Sequence, residues 1–133
     1  MEARKRVLLI GLEPTIVDYS RFPGLNAEKV MAALKADEAK LNALGYDAQL
    51  CFVDLGRTAE AVVLQKLSQN KCDCILIGAG VRTVPEHLSL FEKLINVVHQ
   101  NAPSAKLCYG DADRARSRGG GPPPRRSRRG LLL

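Results

Sequence analysis

Two stretches of the chain hold the residues best suited to chemistry. The first, Gly11 to Leu25, gathers Glu13, Thr15, Asp18, Tyr19, Ser20 and Arg21 in one connecting segment. Its length alone marks it, because connections longer than about 12–15 residues are uncommon in compact domains and often functional. The second is Gly78-Ala-Gly-Val-Arg-Thr83. Two glycines there allow close backbone approach to a ligand, N–H groups at a following helix start favour negative charge, and Arg82 offers a bidentate contact to phosphate or carboxylate. If the two segments face each other, Glu13, Arg21, Gly78, Gly80 and Arg82 line a site for a small anionic or phosphorylated ligand. The second stretch also reads as a plain strand-to-helix turn with Arg82 solvated. It lacks the third glycine of a dinucleotide fingerprint, Thr83 standing in its place, and it follows the third apolar run instead of the first.

Other chemistries find less material. No Gly-x4-Gly-Lys-Ser/Thr phosphate-binding loop is present. Glu13 alone is a poor divalent-cation site, and Asp54 reads as a loop or cap residue, which disfavours aspartyl phosphorylation. Glu13, Tyr19 and His87 are the acid/base candidates of an alternative reading as a small enzyme over the same crevice. His87 also reads as a first-turn surface histidine, and His99 as a residue compatible with a helix C-terminus. Cys72-Asp-Cys74 lacks the partner motif of a metal or redox site and reads as a strand start, with no metal centre expected. Alternation would place Cys72 and Cys74 on one face of that strand. The residues name no cofactor.

The elements that must position these residues follow from hydrophobic patterning. Four short, near-continuous apolar runs, Val7–Ile10, Leu50–Val53, Cys74–Ile77 and Leu107–Tyr109, suit strands covered on both faces, as in a parallel sheet. Three helical patterns lie between them. The first runs from Ala27 to Leu44, with Asn26 as N-cap, Val30, Leu34, Leu41 and Leu44 along one face, and Gly45 as its stop. The second begins at Thr58, buries Val62, Val63 and Leu67, and ends near Asn70. The third starts after Thr83, where Thr83-x-x-Glu86 has capping-box spacing and Pro85 suits a first turn. Its apolar stripe is Leu88, Phe91, Leu94, Ile95 and Val98. The order β-α-β-α-β-α-β predicts a three-layer α/β domain with a four-stranded parallel sheet of order 2-1-3-4, the front of a flavodoxin-like sheet. A Rossmann half of order 3-2-1 is the competing topology. In an open sheet of either kind, ligands bind beyond the carboxyl ends of the strands where the order reverses. For order 2-1-3-4 that point brings together the loops after the first and third strands.

Composition sets the outer bounds. The chain has 133 residues, 46% hydrophobic and 26% charged, enough for one core and too apolar for wholesale disorder. No apolar run approaches the roughly 18 residues of a membrane span, and the four apolar residues after the charged N-terminus fall short of the roughly 7–15 of a secretory signal. A cytoplasmic protein with no membrane association is expected. The net charge of +6 is unevenly placed: residues 111–133 carry seven Arg against two Asp, or +5, leaving +1 for residues 1–110. The division predicts an α/β domain over 1–110 and a disordered Arg/Gly/Pro-rich tail over 111–133.

The stretch from Asp73 to Arg82, the run Phe91-Glu-Lys-Leu-Ile-Asn-Val-Val-His99, Ala102-Pro103, Ala27-Glu-Lys-Val30 and the Asp54-x-Gly56-x-Thr58-Ala-Glu60 turn together resemble a group of small bacterial single-domain α/β proteins of uncharacterised function. The resemblance covers roughly residues 5–109. It implies one compact domain and no particular activity. Members of the group continue past the fourth strand into a polar turn and a last helix. Here the chain departs into a tail that resembles an out-of-frame reading of GC-rich DNA, so the last element of the fold is expected to be missing. A sheet ending at its fourth strand exposes an edge through which two copies would pair as a homodimer, an interaction-protein alternative to the binding module.

The tail would meet DNA or RNA through phosphate contacts alone, since it has no aromatic to stack on bases. Deleting residues 111–133 is expected to leave the melting temperature nearly unchanged while removing a weak, sequence-independent affinity for nucleic acid that falls steeply with salt. Thermal melts and a salt titration of the truncated and full chains check this.

Overall fold

The computed structural model describes residues 4–109, so the tail lies outside the described residues. Four strands, β1 (Arg6–Leu12), β2 (Asp47–Val53), β3 (Cys74–Ile77) and β4 (Lys106–Tyr109), form one parallel sheet in the order β2-β1-β3-β4. The expected three-layer α/β architecture is present, and the competing order 3-2-1 is not adopted. β1 is central: Val7 to Leu12 face β2 residues Ala48 to Val53, and Val7 to Ile10 also face Cys74 to Ile77 of β3. Every residue from Val7 to Leu12 is buried, which explains why this run is continuous in apolar character instead of alternating.

The helices divide between the faces. α1 (Ala27–Ala43) covers one side, where Leu34 and Leu41 pack with Val7, Leu9, Ala48, Leu76 and Cys108. α2 (Ala59–Gln69) and α4 (Leu88–Asn101) cover the other, where Val63, Leu67, Leu90, Leu94, Val97 and Val98 pack with Leu8, Ile10, Cys51, Val53, Ile75 and Ile77. A four-residue helix, α3 (Ala79–Arg82), follows β3 directly and buries Val81 in this second core. Among the described residues, no helix is long and apolar enough to cross a membrane.

The helix ends show how local sequence becomes structure. The Asn26 side chain accepts from the Lys29 amide at 2.8 Å, capping α1 as its residue type suggests. Gly45, at φ +97°, reverses the chain after it. Asp54 caps the next helix from outside, accepting from Gly56 N, Thr58 N and the Thr58 hydroxyl at 2.7–3.0 Å. These bonds hold the Asp54 carboxyl below its ordinary range, the Thr58 hydroxyl contributing most.

Four expectations need correction. Leu44 follows the end of α1 and is 46% exposed, because the chain turns at Gly45 before its side chain reaches the sheet. Leu88 is 57% exposed, and the buried stripe of α4 runs instead through Leu90, Leu94, Val97 and Val98. Thr83 and Glu86 form no capping box: the Thr83 hydroxyl donates back to the Ala79 carbonyl at 2.6 Å, and Glu86 is drawn to Arg21. Cys72 and Cys74 lie on opposite faces, Cys72 in the α2/α4 core and Cys74 on the α1 side. The strand begins only at Cys74, so the two-residue alternation does not extend back to Cys72.

Two substitutions separate cap from core. Asn26→Ala is expected to cost about 1 kcal/mol through the lost cap. Leu94→Ala, at a site with no exposed surface, is expected to cost about 2–5 kcal/mol. Urea denaturation of both variants checks the difference.

Candidate functional site

The order β2-β1-β3-β4 reverses between β1 and β3, and the loops after these strands meet there. The first loop is built tightly. The Glu13 amide donates to Val53 O at 3.0 Å, extending the β1–β2 ladder past the strand end. Pro14, buried, opens a 3-10 turn through Ile16. A second 3-10 turn, Tyr19–Arg21, is capped by Asp18, whose carboxylate accepts from the Ser20 hydroxyl at 2.6 Å and the Ser20 amide at 3.1 Å. Those two bonds, the hydroxyl first, lower the Asp18 carboxyl below its usual range. The Tyr19 hydroxyl donates to Pro14 O at 2.6 Å, tying the two turns together. Partial burial, with the Glu13 charge as a lesser cause, raises the Tyr19 phenol.

The second loop is shorter and more helical than its sequence suggests. The Gly78 amide is bonded to Ile10 O at 2.8 Å, and the Gly78 carbonyl accepts from Val81 N and Arg82 N at 3.1 and 3.2 Å. The chain therefore turns straight into α3, not into an open glycine loop ahead of the long helix. A 3-10 turn on this side, Pro85–His87, leads into α4. His87 Nδ1 lies 3.0 Å from Gly80 O. A carbonyl only accepts, so Nδ1 carries the proton and Nε2 of the neutral ring is left as an acceptor.

Between the loops lie two adjoining cavities that share Leu12, Val17, Phe22 and Gly80. The first, about 130 Å³, is walled by Tyr19, Leu25, Val30 and Leu34, with Gly78 and Ala79 on the β3 side. The second, about 190 Å³, is lined by Asp18, Arg21, Glu86 and His87. Across its mouth Arg21 grips Glu86 in a bidentate pair, Nη1–Oε2 at 2.8 Å and Nη2–Oε1 at 2.5 Å, with Asp18 at 3.8 Å from Nε. This pair joins segments 65 residues apart in sequence. Hydrogen bonding and charge from Arg21 lower the Glu86 carboxyl below its ordinary range.

Of the residues singled out for an anion site, Arg21, Gly78 and Gly80 come together at this crevice. Glu13 and Arg82 line neither cavity. The acid/base candidates are also dispersed: Glu13 accepts from the Thr15 hydroxyl, Tyr19 donates to Pro14 O, and His87 bonds Gly80 O. None of the three hydrogen-bonds another. The residues that sequence reasoning missed are the apolar walls. Val17, Phe22 and Leu25 carry no signal among the polar residues of the loop, and the helical spacing of Val30 and Leu34 marks only a core face. Glu86 has the spacing of a capping residue, and no local signal marks it as the partner of Arg21. Among the described residues, no group of three or more His, Cys, Asp or Glu could hold a metal ion. No protein-family model matches the chain, and no curated protein matches it.

The Arg21–Glu86 pair sets a pH dependence. Glu86 is lowered in the folded chain, so its contribution is complete above the ordinary Glu range and is lost as pH falls through the lowered value. On acid titration followed by NMR, the Arg21 and Glu86 amides are expected to shift together below the ordinary carboxylate range. In Glu86→Gln the transition at Arg21 attributable to this pair disappears. Global stability should change little, because the pair is exposed to solvent.

Proposed function

We propose that the chain is a small-ligand-binding module whose ligand seats an apolar ring over the carboxyl ends of β1 and β3. The observation that carries this reading is the paired cavity, one half apolar and the other edged by polar groups. A cavity near 130 Å³ approaches the size known to take up a single benzene ring. Tyr19, Phe22 and the aliphatic walls would cover the faces of that ring. A donor group on the ligand would then reach the second cavity, where the Asp18 and Glu86 carboxylates and, in the Nδ1–H tautomer, His87 Nε2 would accept.

Charge narrows the class further. The second cavity presents two carboxylates, Asp18 and Glu86, against one guanidinium, and Arg21 is already held by Glu86. A neutral or cationic ligand meets this rim as it stands. An anionic or phosphorylated ligand gains Arg21 only by displacing Glu86. The separate hydrogen-bond partners of Glu13, Tyr19 and His87 favour binding over acid/base catalysis, since none of the three bonds another.

The test uses three ring compounds of similar size and different charge: phenol, benzylamine and benzoate. Phenol and benzylamine are expected to raise the melting temperature at millimolar concentration, and benzoate less so. Gly80 lines both cavities, and a Cβ built there meets nothing within 4 Å. Gly80→Leu should therefore fill the crevice, keep the fold by circular dichroism, and abolish the shift. No shift with any of the three compounds, or a shift that survives in Gly80→Leu, overturns the reading.

A further inference from the structure

The four cysteines fall into two unlike pairs. Cys51 and Cys72 lie in the α2/α4 core, where burial pushes the Cys51 thiol up to about 11 and also raises Cys72. That burial disfavours the thiolate form on which oxidation depends. Cys74 and Cys108 lie on the α1 face of the sheet, on the adjacent strands β3 and β4. Their sulfurs are 2.7 Å apart. Both are thiols in this structure, and their contact is shorter than that of two unbonded sulfurs but longer than the roughly 2.05 Å of a disulfide. The register explains the approach: Cys74 faces Lys106 and Leu76 faces Cys108, so the cysteines sit two residues out of step on one face and reach along the diagonal.

We propose that Cys74 and Cys108 form a reversible cross-strand disulfide that makes the attachment of β4 to the sheet depend on redox state. Cys74 is half-buried and Cys108 fully buried, which makes Cys74 the point of attack. With a hydroperoxide as oxidant, the Cys74 sulfur attacks the O–O bond, giving a sulfenic acid and releasing the alcohol or, from hydrogen peroxide, water. The Cys108 sulfur then attacks the Cys74 sulfur, the S–O bond breaks, and water leaves carrying the Cys108 proton. Two electrons pass from the two sulfurs to the peroxide. A small thiol reverses the bond by exchange, with two thiol molecules oxidised to their disulfide. The bond would cross from β3 to β4 along that diagonal, and thiol–disulfide exchange makes it reversible. The bond would link positions 34 apart in sequence and close a loop that includes α3, α4 and the β3 side of the crevice.

Tryptic cleavage separates the partners. Cys72 and Cys74 share peptide 72–82, and Cys108 lies in peptide 107–114. After treatment of the full chain with hydrogen peroxide and capping with iodoacetamide, mass spectrometry should show these two peptides joined, two hydrogens lighter, with Cys72 alkylated. Dithiothreitol should release them. Cys72→Ser should retain the link, and Cys74→Ser should lose it. Oxidation of the wild type should also raise its melting temperature by roughly 5–15 °C, reversibly. Absence of the joined peptides, their persistence in Cys74→Ser, or full cross-linking with no change in melting temperature overturns the proposal. Mapping in the wild-type chain keeps the test decisive even if a variant fails to fold.

Discussion

The whole arrangement depends on β1 being hydrogen-bonded on both sides. Its backbone is bound to β2 along Arg6–Leu12 and to β3 along Val7–Ile10, with apolar side chains passing to both faces. A strand buried in this way leaves no water to satisfy its amides, so both ladders must form together. The consequence is a chain that leaves β1 toward one neighbour and returns on its other side. At the carboxyl ends the two loops are driven apart, and the space between them is the crevice.

That crevice is shaped more by self-satisfied loops than by charge. The first loop consumes its own polar groups: Asp18 holds Ser20, Tyr19 holds Pro14, and Glu13 both extends the ladder and accepts from Thr15. With those groups engaged, the surfaces left to face the cavity are Val17, Tyr19, Phe22 and Leu25, joined by Val30 and Leu34 from α1. Arg21 is the exception, reaching across to Glu86. An exposed ion pair adds little to stability. Its geometric effect is larger, because it ties the first loop to the turn ahead of α4 and sets the polarity of the second cavity.

The two faces of the sheet differ in chemistry as well as in cover. The α2/α4 side carries the larger core and two buried thiols, Cys51 and Cys72. The α1 side is smaller, and its cluster extends to β4 through Leu76 and Cys108. Among the described residues, β4 pairs with β3 and with no other strand. An edge strand held by one ladder gains most from an additional link, and the contact between Cys74 and Cys108 lies across that ladder.

Much of the fold was legible in the chain itself. The four apolar runs, the Asn26 cap, the Gly45 stop and the parallel three-layer arrangement follow from burial on both faces, from backbone geometry and from the handedness of parallel crossovers, while the choice of order 2-1-3-4 over 3-2-1 rests on the tertiary structure. So did the location of the crevice, which topology places at the reversal of strand order. Contacts between distant segments were not legible. Glu86 has capping-box spacing from Thr83, yet the tertiary fold sets it beside Arg21, and the Thr83 hydroxyl turns back to Ala79. Cys74 carries no sign of Cys108, because their meeting depends on the register of two strands separated by a whole helix. Periodicity and caps are local, governed by neighbours along the chain, so sequence alone determined the elements. Which side chains meet across loops depends on how those elements stack, and only the tertiary structure decided that.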